Sequence, residues 1–451
     1  MHNVWKKNLA ALGIGAVILA TGSATAMAAP GGMGGPGNQG GQFGGQPNNS
    51  FSQGNSGMPG NNGNSSFTPG NNQSSGSSSS SGSSSSSASG SNSNSSSSSA
   101  VSSASSPTTI VESTVTNTAQ NLTSDESSAT TYTMTDSDNE VKIEESGTYI
   151  VTGSCSDGNI VVKKGTTGVV LILKDLDLTS TTGATVSCNK NTEVKIIIEG
   201  TVNLTDAEDP DDETSTDADV ADAFDGAALK AKDGSNVYLT GSGTLNIDSS
   251  SCKNGIKVGD GDTPSFVIDG DLTINIEAAN DGINSGYDFT ILGGTINVSA
   301  TDDGIHADRI LTIGEDGDGP SVTISNSNEG LEGTVVNLFG GKGTINASDD
   351  GVNAANSDGT YSSEMDFSIN ITGGTWVINC QGDGLDSNGN INITGGSTTI
   401  NSGSTGGEAG LDYTGTLYCA DGCLTNYSGV SSDASMGGNM GGNMQGFMGG
   451  R

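Results

Sequence analysis

The feature that most constrains this chain is a three-residue motif that recurs through its second half. The motif is usually an acidic or amide residue, then glycine, then an aliphatic residue. Its glycines lie between 21 residues (Gly330 to Gly351) and 33 residues (Gly351 to Gly384) apart, and a period in this range is typical of one turn of a solenoid. The copies are Asp225-Gly226-Ala227, Asn254-Gly255-Ile256, Asp281-Gly282-Ile283, Asp303-Gly304-Ile305, Glu329-Gly330-Leu331, Asp350-Gly351-Val352, Asp383-Gly384-Leu385 and the variant Ala409-Gly410-Leu411.

Two further alternating stretches follow the motif in most repeats. In one repeat they are Ile369 to Gly373 and Thr375 to Asn379, and a glycine pair separates them. Three short strands per repeat, each with a period of two and bounded by Gly, Asp or Asn, describe a coil with three faces. No helical period of useful length interrupts them. The sequence therefore predicts an all-β protein, a parallel β-helix of roughly nine or ten coils over residues 107–433.

The two ends of the chain differ in composition from this repeat. Residues 1–29 have a basic start, a short apolar run and small residues at the end, which predicts a secretory signal peptide. Residues 30–106 are rich in Gly, Asn and Ser and predict a disordered linker, and residues 434–451 predict a disordered Met/Gly-rich tail. We expect a secreted protein, extracellular or associated with the cell surface, with no membrane insertion.

The net charge excludes several classes of partner. The chain has 51 acidic and 15 basic residues, giving a formal charge of −36. Such a field repels nucleic acid and anionic lipid and favours cations. If the partner is an anionic polymer, a positive group must lie between the polymer and the protein. The sequence leaves the oligomeric state open.

Stacked coils would place equivalent acidic residues above one another at a spacing of about 4.8 Å. Carboxylates at that distance repel one another unless a cation lies between them, and calcium accepts about six to eight oxygen ligands in a forgiving geometry. Asp and Asn before Gly also favour tight turns, so most of these residues are expected to have a turn role as well. The acidic residues expected to bind calcium at one or more coils are Asp281, Asp302, Asp303, Glu329, Asp349, Asp350 and Asp383.

The residue two positions after each glycine should point outward, because the aliphatic residue between them faces the core. Calcium held by protein carboxylates would keep open positions for the carboxylates and hydroxyls of a sugar polymer. The outward residues would then contact hydroxyls, with three basic side chains as positive donors. The predicted carbohydrate contacts are Lys257, His306, Arg309, Glu332, Asn353 and Asp386.

The order of these segments resembles a family of secreted β-helical carbohydrate-binding proteins of Gram-positive bacteria. The resemblance rests on Ser146 to Gly153 (SGTYIVTG), Leu239 to Ile247 (LTGSGTLNI), an acidic loop before Ala223 and the run of Asp-Gly-Ile coils. It implies a right-handed parallel β-helix similar to pectate lyases, with bound calcium. It also implies binding of cellulose and acidic pectic polymers without cleavage.

Two other functions stay open at this stage. A calcium-dependent pectate lyase would need a base beside the uronate, and Lys257 is the residue we would test. A structural or adhesive surface rod would bind calcium only to hold neighbouring coils together. Cellulose platforms usually need exposed aromatic rings, whereas Trp376 shares the alternation of Ile378 and is expected in the core. We therefore favour polygalacturonate over cellulose as the ligand of a non-catalytic binding protein.

The sequence also predicts structural roles for the six cysteines and a solvated location for an acidic insert. The cysteines would be buried thiols or structural disulfides, with Cys155 and Cys188 one long coil apart and Cys419 and Cys423 close in sequence. The acid-dense insert from Asp206 to Asp225 is expected to be a solvated loop.

Overall fold

A computed structural model describes residues 104, 106–260, 265–315, 317, 319–355, 365–403, 408–427 and 429–432 of the chain. The predicted signal peptide at 1–29 and the predicted tail at 434–451 lie outside the described residues, as does the predicted linker at 30–106 except for residues 104 and 106. None of the helices in the described part is long and apolar enough to cross a membrane.

Short strands make up nearly all of the regular structure. Within the described residues, helical segments are limited to α1 (Ala218–Ala223) and the 3-10 turns at Ala119–Asn121, Glu126–Ser128 and Pro210–Thr214. The strands are β1 (Thr130–Met134), β2 (Glu140–Ile143), β3 (Gly147–Cys155), β4 (Asn159–Val162), β5 (Val169–Ser180), β6 (Val186–Cys188), β7 (Glu193–Asp206), β8 (Ala227–Ala231), β9 (Asn236–Gly241), β10 (Thr244–Ser249), β11 (Asn254–Val258), β12 (Ser265–Ile268), β13 (Thr273–Ala278), β14 (Ile283–Ser285), β15 (Asp288–Ile291), β16 (Thr295–Ser299), β17 (Ile305–Ile313), β18 (Ser321–Asn326), β19 (Leu331–Leu338), β20 (Lys342–Asn346), β21 (Val352–Ala354), β22 (Ser368–Ile371), β23 (Thr375–Asn379), β24 (Leu385–Ser387), β25 (Asn390–Ile393), β26 (Ser397–Asn401), β27 (Leu411–Tyr413), β28 (Leu417–Cys419), β29 (Leu424–Asn426) and β30 (Val430–Ser432).

These strands stack in three parallel columns, which we name face A, face B and face C. Face A is formed by β2, β4, β6, β8, β11, β14, β17, β19, β21, β24, β27 and β30. Face B is formed by β1, β3, β5, β7, β9, β12, β15, β17, β19, β22, β25 and β28. Face C is formed by the ends of β3, β5 and β7, then β10, β13, β16, β18, β20, β23, β26 and β29. The predicted three-faced parallel β-helix is confirmed, and faces A and B each run through more coils than the nine or ten expected.

The core is a set of aliphatic ladders, because every second residue of each strand points inward. On face A the ladder runs through Ile256, Ile283, Ile305 and Leu331, each with no exposed surface. The prediction that Trp376 lies in the core is confirmed, since it is 0% exposed.

The first strand begins later than the predicted domain boundary at residue 107. Residues 106–129 form no strand and instead lie along face B, running from its last coils back to its first. Thr108 N donates to Asn392 Oδ1 at 2.9 Å, and Asn117 Nδ2 donates to the carbonyl of Val237 at 2.8 Å. The change in composition after the linker located the start of this segment, but it could not predict that the segment packs along face B without forming a strand.

The cysteines form no disulfide in this structure, and all six lie in the described part. Cys155 stacks on Leu178 in face C, whereas Cys188 stacks on Val162 in face A. The two thiols therefore lie in different columns, and the prediction of a disulfide that joins neighbouring coils at this pair is wrong.

Candidate functional site

The turn that precedes face A is built by the glycine motif. Gly282 N donates to the carbonyl of Asp303 at 2.9 Å, and Ile283 N donates to the carbonyl of Gly304 at 3.2 Å. A Cβ at Gly282 would lie 2.3 Å from Val298 Cγ1, so only glycine permits this approach of the coils. Each motif therefore stacks on the next, which is what the sequence predicts.

The register of the first motif differs from the expectation. Asn254 pairs with Ala227 and Ile256 pairs with Leu229, so Asp225 lies two residues out of step with the later acidic positions. Asp225 instead forms ion pairs with Lys230 at 3.2 Å and Lys232 at 2.7 Å. The ladder of pre-glycine residues, which we call the acidic ladder, consists of Asn254, Asp281, Asp303, Glu329, Asp350 and Asp383.

Carboxylates of the acidic ladder hold the next coil through its backbone. Asp281 Oδ1 accepts from Asp303 N at 3.1 Å, and Asp350 Oδ1 accepts from Asp383 N at 2.6 Å. Each of these bonds uses one carboxylate oxygen to join two neighbouring coils and leaves the other for a different partner. They are not the local backbone bonds expected of a turn residue, and they are compatible with a metal role.

Burial and mutual repulsion make these carboxylates hard to ionise. Burial, followed by the charge of Asp303, raises the pKa of Asp281 to about 6. Burial likewise raises the pKa of Asp303 to about 6 and that of Asp350 to about 7. Burial raises the pKa values of Glu329 and Asp383 as well. A bound cation would relieve both causes at once.

Two groups along the acidic ladder have the spacing that a calcium ion requires. Ligand oxygens of Asp281, Asp302 and Asp303 lie within 4.8 Å of one another, and so do those of Asp350, Asp383 and Glu408. Because calcium lies about 2.3 to 2.6 Å from each oxygen, two ligands of one ion can be separated by up to about 5 Å. The residues of both groups therefore fit a calcium ion, which would supply positive charge and open coordination positions to each group.

Two predicted metal ligands lie outside these groups, and one residue of the second group was not predicted. Glu329 Oε2 accepts from Asn353 Nδ2 at 2.9 Å, while Asp349 is exposed. Glu408 was missed, although it lies two residues before Gly410, as Asp302 lies two residues before Gly304. Reading every position by its distance from the glycine would have identified it.

Six side chains form a column on face A, in the predicted stacking order. Lys257, Asn284, His306, Glu332, Asn353 and Asp386 stack on successive coils. Glu332 and Asn353 are buried, so the prediction that these two residues face outward to contact carbohydrate is wrong. A ligand oxygen of Asp386 also lies within 4.8 Å of those of Asp383 and Asp412. Asp383 belongs to both sets of oxygens, so this end of the column adjoins the second calcium-compatible group.

His306 is enclosed by carboxylates rather than free to donate to a ligand. Its Nδ1 lies 3.1 Å from Asp303 Oδ2 and 2.8 Å from Glu332 Oε2, and its Nε2 lies 2.8 Å from Asp308 Oδ1. Burial disfavours the imidazolium, but these three carboxylates outweigh burial and raise the pKa of His306 to about 12. His306 is thus an internal cation of the acidic ladder.

Arg309 lies outside the column and has its own partners. Its Nη1 is 2.5 Å from Oδ2 of Asp288, which is 3% exposed, and its guanidinium lies 4.8 Å from the ring centroid of Tyr287. Arg309 was predicted to contact carbohydrate together with Lys257 and His306, but the chain turns toward face B between His306 and Arg309. Arg309 therefore anchors a buried carboxylate.

Lys257 is the basic side chain of the column that lacks an anionic partner. Among the described residues its ammonium makes no hydrogen bond or ion pair. Burial lowers the pKa of Lys257, and the charges of Lys230 and Lys253 lower it further. Such an amine is easier to deprotonate than an ordinary surface lysine.

The acidic insert is only partly solvated, contrary to expectation. Asp206 and Glu208 are buried, and ligand atoms of both lie within 4.8 Å of Cys252 Sγ. Backbone N–H groups of Asp225 and Gly226 donate to Glu208, so the start of the insert folds back onto the coils. Burial raises the pKa of Glu208 to about 7.

The sequence model of a family described as "carbohydrate-binding domain-containing protein" matches residues 137–410 and 317–440. The chain belongs to this family. The match to the carbohydrate-binding domain-containing family covers both calcium-compatible groups of the acidic ladder. Among curated proteins, none matches this sequence significantly.

One solved structure resembles the chain at low identity. It is a polysaccharide lyase-like protein from C. thermocellum, solved as a gadolinium derivative, with 21% identity and a TM-score of 0.38. The alignment covers 65% of this chain and 98% of that chain.

Proposed function

We propose that the protein is a secreted, non-catalytic carbohydrate-binding protein that holds acidic polysaccharide, of the polygalacturonate type, through calcium bound along the acidic ladder. The observation that carries the proposal is the convergence of Asp281, Asp302 and Asp303, repeated at Asp350, Asp383 and Glu408. The family of the chain supports a carbohydrate ligand. Its predicted signal peptide supports an extracellular location.

Calcium explains how an acidic surface can hold an acidic polymer. The chain has a charge of −36, and a uronate polymer approaching the bare acidic ladder would be repelled. An ion held by two or three carboxylates keeps several coordination positions free for the carboxylates and hydroxyls of the sugar. Repetition of the site along the rod would let one polymer bind at several points, which strengthens retention.

The proposal predicts calcium-dependent retention on polygalacturonate. The protein should be retained with calcium, released by EGTA, and produce no unsaturated product that absorbs in the ultraviolet. Asp303→Asn combined with Asp350→Asn should weaken retention at least tenfold. The matched control is Asp211→Asn with Asp219→Asn, which removes the same charge from exposed residues of the insert. If both double variants lost retention equally, the loss would be explained by net charge alone, and the calcium site would be refuted.

A second candidate function, a calcium-dependent pectate lyase, is favoured by one observation. Lys257 lies in the column of His306 and Asn284, is largely buried, and has a lowered pKa, as a base for proton abstraction requires. Product formation that Lys257→Met abolishes, with retention unchanged, would establish this reaction. A protein that binds calcium but no polymer would instead be a structural rod.

A further inference from the structure

We propose that the protein contains a buried zinc site at the start of the acidic insert, formed by two carboxylates and a thiolate. Ligand atoms of Asp206, Glu208 and Cys252 lie within 4.8 Å of one another. The three residues are 0%, 5% and 7% exposed, so the protein encloses them. None of them belongs to the calcium-compatible groups of the acidic ladder, and the proposal therefore stands independently of the proposed function.

An unpaired carboxylate oxygen is the observation that points to a bound ion. Oδ1 of Asp206 accepts from Glu208 N at 3.1 Å, whereas no N–H or O–H group of the described residues donates to Oδ2. The thiol of Cys252 lies beside this carboxylate, but a thiol is a weak donor and does not replace the hydration lost on burial. A fully buried carboxylate with an unpaired oxygen is costly unless a cation compensates it.

Two serines stack with Asp206 on neighbouring coils and are unpaired in the same way. Ser180 pairs with Asp206 in the register of β5 and β7, and Ser249 follows Asp248, which pairs with Thr205. Both serines are 0% exposed, and neither hydroxyl has a hydrogen-bond partner among the described residues. Three consecutive coils of face C therefore hold unsatisfied polar atoms at one inward position, although such atoms are rare in protein interiors. An ion at Asp206 could take a hydroxyl oxygen as a further ligand.

The donor atoms decide which metal the site suits. Thiolate is a soft ligand that zinc favours, whereas calcium binds oxygen ligands and requires about six to eight of them. Zinc requires about four ligands, and two carboxylates, one thiolate and an oxygen from a serine or a water give that number. Zinc lies about 2.0 to 2.3 Å from such ligands, so two ligands of one ion can be up to about 4.5 Å apart. This separation is compatible with the 4.8 Å limit of the group.

The charges around the group also favour a cation. Burial raises the pKa of the Cys252 thiol, and the charges of Asp206 and Glu208 raise it further. Burial likewise raises the pKa of Asp206. Lys230, whose charge acts on Asp206, already forms an ion pair with Asp225. A divalent ion would supply the missing positive charge, and the thiol proton would leave to solvent as the bond between sulfur and zinc forms.

The zinc ion would fasten the acidic insert to the coils. Asp206 and Glu208 lie at the start of the insert, and Glu208 accepts from the backbone N–H groups of Asp225 and Gly226 at its end. Cys252 lies on the next coil, after β10. One ion bound by the three side chains would therefore link two coils and hold both ends of the insert between them.

Titration of the reduced full chain with Cd²⁺ tests the proposal, in an excess of calcium that competes for sites made of oxygen ligands alone. One equivalent of Cd²⁺ should produce the ultraviolet absorption band of a thiolate bound to cadmium, and Zn²⁺ should remove the band by displacement. Cys252→Ala should abolish it. The matched control is Cys188→Ala, which removes a fully buried thiol that belongs to no ligand group among the described residues and should leave the band unchanged.

A second variant guards against misfolding of the first. Asp206→Asn keeps side-chain size and should weaken Cd²⁺ binding at least about tenfold, with an unchanged circular dichroism spectrum. Asp303→Asn with Asp350→Asn should leave the band unchanged, which separates this site from the calcium groups of the acidic ladder. No band in the wild type, a band that survives Cys252→Ala, or equal weakening by Asp206→Asn and the exposed control Asp211→Asn would overturn the proposal.

Discussion

Nδ1 of His306 lies 2.8 Å from Oε2 of Glu332, the residue stacked on it one coil further along the rod. The same nitrogen lies 3.1 Å from Oδ2 of Asp303. One imidazolium thus neutralises part of the acidic ladder from within the protein. The two calcium-compatible groups lie on either side of it, where no lysine or arginine of the described chain forms an ion pair with the clustered carboxylates.

Removing this internal cation should destabilise the rod most when calcium is absent. His306→Ala leaves two buried carboxylates facing each other, and breaking a buried ion pair costs about 3 to 5 kcal/mol. Urea denaturation in EGTA should show that loss. Asn284→Ala, one coil earlier in the same column, removes only the bond to Asp281 and should cost about 1 kcal/mol. Equal stability of His306→Ala and the wild type in EGTA would contradict this role.

In the absence of calcium, the free energy of unfolding should fall as pH rises from 5 to 7.5. Asp281 and Asp303 have pKa values of about 6 instead of 3.8, and those of Asp350 and Glu208 are about 7 instead of 3.8 and 4.5. Between the ordinary and the raised value the folded state binds more protons than the unfolded state. As pH rises through this range, each such group lowers the free energy of unfolding by up to about 1.4 kcal/mol per pH unit.

Other groups leave the sign of this pH dependence unchanged. His306, raised from 6.5 to about 12, stabilises fully below pH 6.5 and loses that contribution gradually above it. Asp225 and Asp233 have lowered pKa values, so their stabilisation is lost only in acid, below about pH 4. Calorimetry in EGTA should give a lower Tm at pH 7.5 than at pH 5, and calcium should remove most of the difference. A higher Tm at pH 7.5 in EGTA would refute the assignment.

Local periodicity was enough to predict the three-faced coil and the acidic ladder, although it underestimated the number of coils. The alternation of Ile283 and Asn284, repeated at Ile305 and His306, determines which side chain faces the core, and glycine marks the tight approach of neighbouring coils. These features depend on residues close in sequence. The acidic insert is the exception, because Asp225 follows it and lies two residues out of register with the later acidic positions.

Contacts between distant segments could not be predicted in the same way. The pairing of Arg309 with Asp288 and the packing of residues 106–129 on face B depend on where the chain turns between faces. A ladder of stacked asparagines on face C was predictable in part, since Asn246 and Asn275 occupy the same place in Thr-Leu-Asn-Ile and Thr-Ile-Asn-Ile. The hydrogen bond between them is evident only when the coils are stacked.

The ion pair between Arg309 and Asp288 should matter for stability and not for ligand binding. Asp288 also accepts from Ser113 Oγ at 2.5 Å, so the pair helps to hold residues 106–129 on face B. Arg309→Ala leaves a buried carboxylate uncompensated and should cost about 3 to 5 kcal/mol. The double variant Arg309→Met with Asp288→Leu should recover part of that loss. Unchanged stability of Arg309→Ala, or loss of polygalacturonate retention by the folded variant, would contradict this assignment.

Gly343 and Trp376 should behave as a matched pair in the core. Gly343 occupies an inward position between Val322 and Trp376, and a Cβ there would lie 2.3 Å from Trp376 Cζ3. Gly343→Ala should therefore cost about 1 to 3 kcal/mol through overpacking. Trp376→Leu removes the ring that a Cβ would meet, so Gly343→Ala should cost much less in that background. A double-mutant cycle by urea denaturation measures the coupling between the two substitutions. Additive losses of stability would show that the added methyl group clashes with the backbone and not with the indole.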